Sequence, residues 1–86
     1  MAARAENWQK ARLIFDMVFA QLKMKGDQPV FEAGFGRYKS KVGVGPLKGR
    51  PLYISEHDLE DSGITVEQIR RRLVAQLKEE MESSRY

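Results

Sequence analysis

An α+β domain is the fold class this sequence predicts: a long N-terminal helix, a small antiparallel sheet of two or three strands, a short helical turn and a C-terminal helix. Three features carry that prediction. Apolar residues recur at helical spacing from Trp8 to Leu22 and again from Val66 to Met81. They alternate from Phe31 to Phe35, as on a strand with one buried face. Glycine and proline gather between these blocks, where the chain must turn. With 86 residues the chain makes one domain, 1–86, whose ends at 1–5 and 83–86 are expected to fray.

The first helix is predicted from about Glu6 to Lys25, capped by Asn7 and stopped by Gly26 before the Asp27-Gln28-Pro29 turn. Its core face gathers Trp8, Ala11, Ile14, Phe15, Val18, Phe19 and Leu22. A second apolar stripe, Leu13, Met17, Ala20 and Met24, recurs at i, i+4, i+7 and i+11 on the opposite side. Phe31, Ala33 and Phe35 are read as the buried side of a first strand, with Val42 and Val44 on a second and the turn within Gly36 to Lys41. Gly45-Pro46 and Lys48-Gly49 mark a loop, and Leu52, Tyr53 and Ile54 a third strand, with Pro51 suiting an edge. Two helix starts follow. Ser55 caps one, with Ile54 and Leu59 as its staple. Thr65 and Gln68 form a capping box for the other, stapled by Ile64 and Ile69. The first of these helices stops by Gly63; the second runs to about Glu82.

Composition narrows the function. Without cysteine there is neither a disulfide nor a thiolate metal site, and a single histidine with scattered carboxylates argues against a dedicated zinc site. No cofactor is expected. Small domains are often stapled by metal, disulfide or assembly, so assembly is the staple that remains. No run of apolar residues is long enough to span a membrane. Glu6 and Asp16 argue against an organelle presequence, and Asp16 breaks the only apolar run a signal peptide would need, so a cytoplasmic location is expected.

Catalytic patterns are weak. His57 lies between Glu56 and Asp58 in a first helical turn, but adjacent helical residues point in different directions and do not assemble a dyad. Ser55 is better explained as a cap than as a nucleophile. The glycines match no nucleotide motif. Lys48-Gly49 reverses the Walker order, and Gly43 to Gly49 is one residue too long for a dinucleotide fingerprint and leads into a strand. A non-enzymatic protein is therefore expected.

Two surfaces stand out as contacts. The Leu13, Met17, Ala20, Met24 stripe needs something to pack on, and a domain this small has few elements to enclose one helix on both sides. Arg70, which falls in the apolar sector of the last helix, either snorkels along the core edge or joins this interface as an ion-pair partner. The second surface is the stretch from Gly36 to Arg50, which carries Arg37, Lys39, Lys41, Lys48 and Arg50 and no acid. On a strand Arg37, Lys39 and Lys41 share parity and form a basic ridge, with Tyr38 or Tyr53 as a stacking face. The net charge of +3 and pI near 9.4 tolerate acidic partners without requiring them. The sequence is thus read as a small interaction or regulatory protein that forms a homo-oligomer, such as a dimer, or docks on a protein partner through the first helix. The alternative is a nucleic-acid-binding regulator that uses the 37–50 ribbon.

Overall fold

The computed structural model describes residues 2–45 and 47–83, and only the backbone of Ala2 and Ala3. The expected fraying of Met1 and of 84–86, and the Pro46 part of the predicted loop, fall outside the described residues. The element order is α1 (Ala2–Gln21), β1 (Lys25–Gly26), β2 (Val30–Glu32), β3 (Arg37–Val44), β4 (Pro51–Ser55), α2 (Glu56–Glu60) and α3 (Val66–Ser83). The α+β class is as predicted. Strand β3 is the spine of the sheet: β4 pairs antiparallel along one side, while β1 and β2 pair antiparallel with its later and earlier residues. A hydrogen bond from Asp27 N to Lys41 O carries the pairing across the gap between β1 and β2.

α1 differs from its predicted form at both ends. It starts at Ala2, so Asn7 lies inside the helix; buried there, its Nδ2 donates to Glu60 Oε1 at 2.8 Å and ties α1 to α2. The helix closes at Gln21 rather than Lys25. Lys23 adopts φ 57°, Lys23 N donates to Ala20 O (3.2 Å) and Met24 N to Phe19 O (2.7 Å). That pair of bonds is a Schellman closure, which carries the residue after the left-handed position back against the last turns. Met24 therefore packs into the core beside Phe19.

The strand expectation also needs correction. β2 stops at Glu32, residues 33–36 form the hairpin turn, and Gly36 takes φ 60°. Phe35, expected inside, is 71% exposed at the tip of that turn. The turn thus precedes Arg37 instead of lying within Gly36 to Lys41, and along β3 the parity expected of a strand holds: Tyr38, Ser40 and Val42 are buried, and Arg37, Lys39 and Lys41 alternate with them on the other face. On β4, Leu52 and Ile54 face inward and Tyr53 outward.

The two helix caps are as predicted. Ser55 Oγ accepts from His57 N at 3.2 Å. Thr65 N donates to Gln68 Oε1 at 2.8 Å, and Gln68 N donates back to Thr65 Oγ1 at 3.1 Å. α1 and α3 lie on the Tyr38–Val42 side of the sheet. They close a single core of Ile14, Phe15, Val18 and Phe19 against Leu52, Ile54, Ile69, Leu73 and Leu77. The helices thus cover one face of the sheet and leave the other open to solvent.

Candidate nucleic-acid interface

The open face follows from strand register. Arg37 lies between Glu32 and Ser55, and Lys39 between Val30 and Tyr53; Lys41 is opposite Pro51. Since each of these residues alternates with a buried one, all share the outward side. Phe35 joins them from the hairpin tip. Around Lys39 and Lys41 runs a shallow groove of about 250 Å³, bordered by Asp27, Gln28, Val30 and Glu32. Lys39 and Lys41 share that groove with two carboxylates, Asp27 and Glu32.

The cations of the 37–50 stretch are not equivalent. Arg37 donates through Nε to Glu32 Oε1 at 2.7 Å, and its guanidinium carbon lies 4.2 Å from the Phe35 ring centroid and 3.8 Å from that of Tyr53. Those distances are well within cation–π range. Arg50 donates to Glu80 Oε2 at 2.9 Å, which pins the loop before β4 to α3. Lys39, Lys41 and Lys48 form no ion pair with the described residues. The positive charge free to meet a ligand is therefore on the lysines.

Tyr38 cannot stack a ligand. It is fully buried, edge-tilted against Phe31 at 4.9 Å between centroids, and its hydroxyl donates to Glu56 Oε2 at 3.2 Å. Burial, reinforced by the Glu56 carboxylate, raises its pKa above the usual phenol value. Of the two tyrosines considered from sequence, Tyr53 is the one the sheet presents. Phe35 was not foreseen as a surface aromatic, although a phenylalanine held between Gly34 and Gly36 is also what a tight turn looks like.

The helix stripe is thinned by the Schellman closure. Met24 is buried, Met17 is half-buried against the core, and Leu13 and Ala20 stay exposed. Arg70 is engaged within the chain. It makes a two-pronged contact with Glu67 and reaches Gln21 at the end of α1, so it is fastened between two helices rather than held out for a partner. The Arg70 hydrogen bond is the main reason the Glu67 pKa is lowered. Arg71 pairs with Glu67 at 3.2 Å, as its i,i+4 spacing predicts.

His57 is exposed on α2 with its backbone nitrogen in the Ser55 cap. Among the described residues no group of three His, Cys, Asp or Glu side chains converges as a metal site, and no helix is long and apolar enough to cross a membrane. No family model matches the chain, and neither a curated protein nor a solved structure matches it.

Proposed function

We propose that this protein binds nucleic acid through the open face of its sheet, without a catalytic step. The observation that carries the reading is the coincidence, on one solvent-facing surface, of two unpaired lysines on β3 with the exposed rings of Phe35 and Tyr53. Lysines contribute phosphate attraction that is indifferent to sequence, and exposed rings contribute stacking. A second copy of the chain fits this surface poorly. A two-fold contact centred on Lys39 and Lys41 would set these lysines against their own counterparts, and like charges brought together in an interface cost several kcal/mol; an off-centre contact would instead have to pair them with Asp27 or Glu32 of the other copy.

The test is fluorescence anisotropy of labelled 20-nucleotide single strands and 20-base-pair duplexes, titrated from 25 to 200 mM salt. Of the cations in the 37–50 stretch, Lys39, Lys41 and Lys48 make no ion pair; with two or three phosphates neutralised by them, log K on the single strand should fall with log salt at a slope of about −1.4 to −2.1, steeper by about 0.7 where Arg37 also engages a phosphate. The Lys39→Glu/Lys41→Glu double variant should bind neither probe. Absence of binding at 25 mM salt, or undiminished binding by the double variant, overturns the reading.

Self-association through α1 remains a second reading, favoured by Leu13, which is 54% exposed beside the half-buried Met17. A patch reduced to Leu13, Ala20 and part of Met17 is small beside the roughly 800 Å² per partner of a standard interface. Light scattering that shows a dimer for the native chain and a monomer for Leu13→Glu would establish it; a monomer for both would dismiss it.

A further inference from the structure

The placement of two rings against Arg37 points to the kind of nucleic acid, an inference that rests on the sheet-face reading above. Phe35 is 71% exposed and Tyr53 37% exposed, and their rings lie 4.2 and 3.8 Å from one guanidinium carbon. A cation over the face of an aromatic ring is attracted to it, and here the planar cation of Arg37 covers both rings in part. Arg37 is held over the rings by Glu32 at 2.7 Å, across the mouth of the hairpin. A guanidinium stacked on an aromatic ring occupies the surface that a nucleobase would take.

We propose that Phe35 and Tyr53 form a stacking platform for unpaired bases, that the ligand is accordingly single-stranded, and that Arg37 covers the platform in the free protein. A duplex offers no free base faces, because each is already stacked within the helix, so the rings add nothing to duplex binding unless bases are first extruded. An unpaired base has both faces available. When it takes the place of the guanidinium, Arg37 is released toward the phosphate backbone beside Lys39, on the same face of the sheet. The platform is indifferent to base identity because every base has a π-face. Glu32 acts as the latch: it keeps Arg37 on the rings and adds a negative charge that both kinds of nucleic acid must tolerate.

The experiment compares 20-nucleotide oligo(dT) with a 20-base-pair duplex at 50 mM salt, using the native chain and variants whose fold is verified by circular dichroism. The native chain should favour oligo(dT). Phe35→Ala and Tyr53→Ala should each weaken oligo(dT) binding about 5- to 150-fold while leaving duplex affinity unchanged. Glu32→Gln should strengthen oligo(dT) binding by a larger factor than duplex binding, since loss of charge helps both but loss of the latch helps only the single strand. Equal affinity for the two probes, ring variants that bind oligo(dT) like the native chain, or equal gains in Glu32→Gln would overturn the platform. In those cases binding that is still abolished by Lys39→Glu/Lys41→Glu would leave the sheet-face reading standing. If neither probe binds the native chain, the sheet-face reading itself has failed.

Discussion

Replacing Gly26 with alanine tests the closest approach in the core. Gly26 lies in β1 opposite Val42, and a Cβ built there would sit 2.2 Å from Phe19 Cε2, 2.4 Å from Cζ and 2.8 Å from Cδ2. Carbon atoms in ordinary contact are about 3.5–4.0 Å apart, so the ring or the strand must move by more than 1 Å at roughly that spacing. The ring has little room: Phe19 is 4% exposed and stacks on Phe15 at 6.3 Å between centroids. If β1 lifts instead, it strains the Asp27 N to Lys41 O bond, whose loss costs about 1 kcal/mol. Overpacking of this kind costs about 1–3 kcal/mol, and in a domain this size each kcal/mol lowers Tm by about 4–8 °C. Gly26→Ala should therefore melt roughly 5–20 °C below the native chain, as followed by circular dichroism. Gly34→Ala is the control. It meets no atom within 4 Å and should shift stability by less than about 0.5 kcal/mol. In a Phe19→Leu background the smaller side chain makes room, so Gly26→Ala should cost less there. A Gly26→Ala protein that melts within about 1 °C of native, or that costs the same in both backgrounds, would refute the packing argument.

Two further substitutions probe the supports of the site. Tyr38→Phe removes the hydroxyl that donates to Glu56 and should cost about 1 kcal/mol at neutral pH by urea denaturation. Because burial raises the Tyr38 pKa, the unfolded chain releases this proton first as pH climbs past about 10. Native stability should fall from there until the folded-state pKa is passed, and Tyr38→Phe should lack that part of the alkaline loss. Thr65→Ala breaks the capping box of α3 and should cost about 1 kcal/mol, or roughly 4–8 °C in Tm, with the sheet face unaffected in oligonucleotide binding.

What the sequence made legible was mostly local. Ser55 and the Thr65–Gln68 pair are caps because their side chains reach backbone groups two or three residues away, a relation no tertiary contact has to supply. The parity of Arg37, Lys39 and Lys41 was likewise legible, since alternation on a strand needs no knowledge of its neighbours. Misreadings arose where a turn was closed by an unexpected residue. Lys23 takes the left-handed position that the sequence assigns to Gly26, and the chain bends inward several residues early, which buries Met24. Val30–Glu32 pairs for only three residues before the hairpin turns, which sends Phe35 outward although it keeps strand spacing with Phe31. Arg70 illustrates the other limit: its contact with Gln21 crosses from α3 to α1, and spacing along one helix cannot reveal it.

The pattern of ion pairs argues that any recognition by this face is tolerant of sequence. Among the described residues every arginine pairs with a carboxylate, and no lysine does. A guanidinium offers a rigid fork suited to holding a carboxylate, or to reading the edge of a base. In this chain each described guanidinium lies against a carboxylate: Arg4 and Arg72 reach α2, Arg37 closes the β2–β3 hairpin, Arg50 ties its loop to α3, and Arg12, Arg70 and Arg71 pair within their own helices. The charges left over are ammonium groups on flexible stems, which attract a phosphate from many directions and distinguish little. The aromatic rings add stacking, which every base can satisfy. Among the described residues only Arg37 combines a guanidinium with a place on the open face, and it must leave Glu32 before it can read anything. On the proposed reading, discrimination between bases would have to come at the expense of the Arg37–Glu32 pair, whereas attraction to the backbone would come from Lys39 and Lys41 without breaking an ion pair.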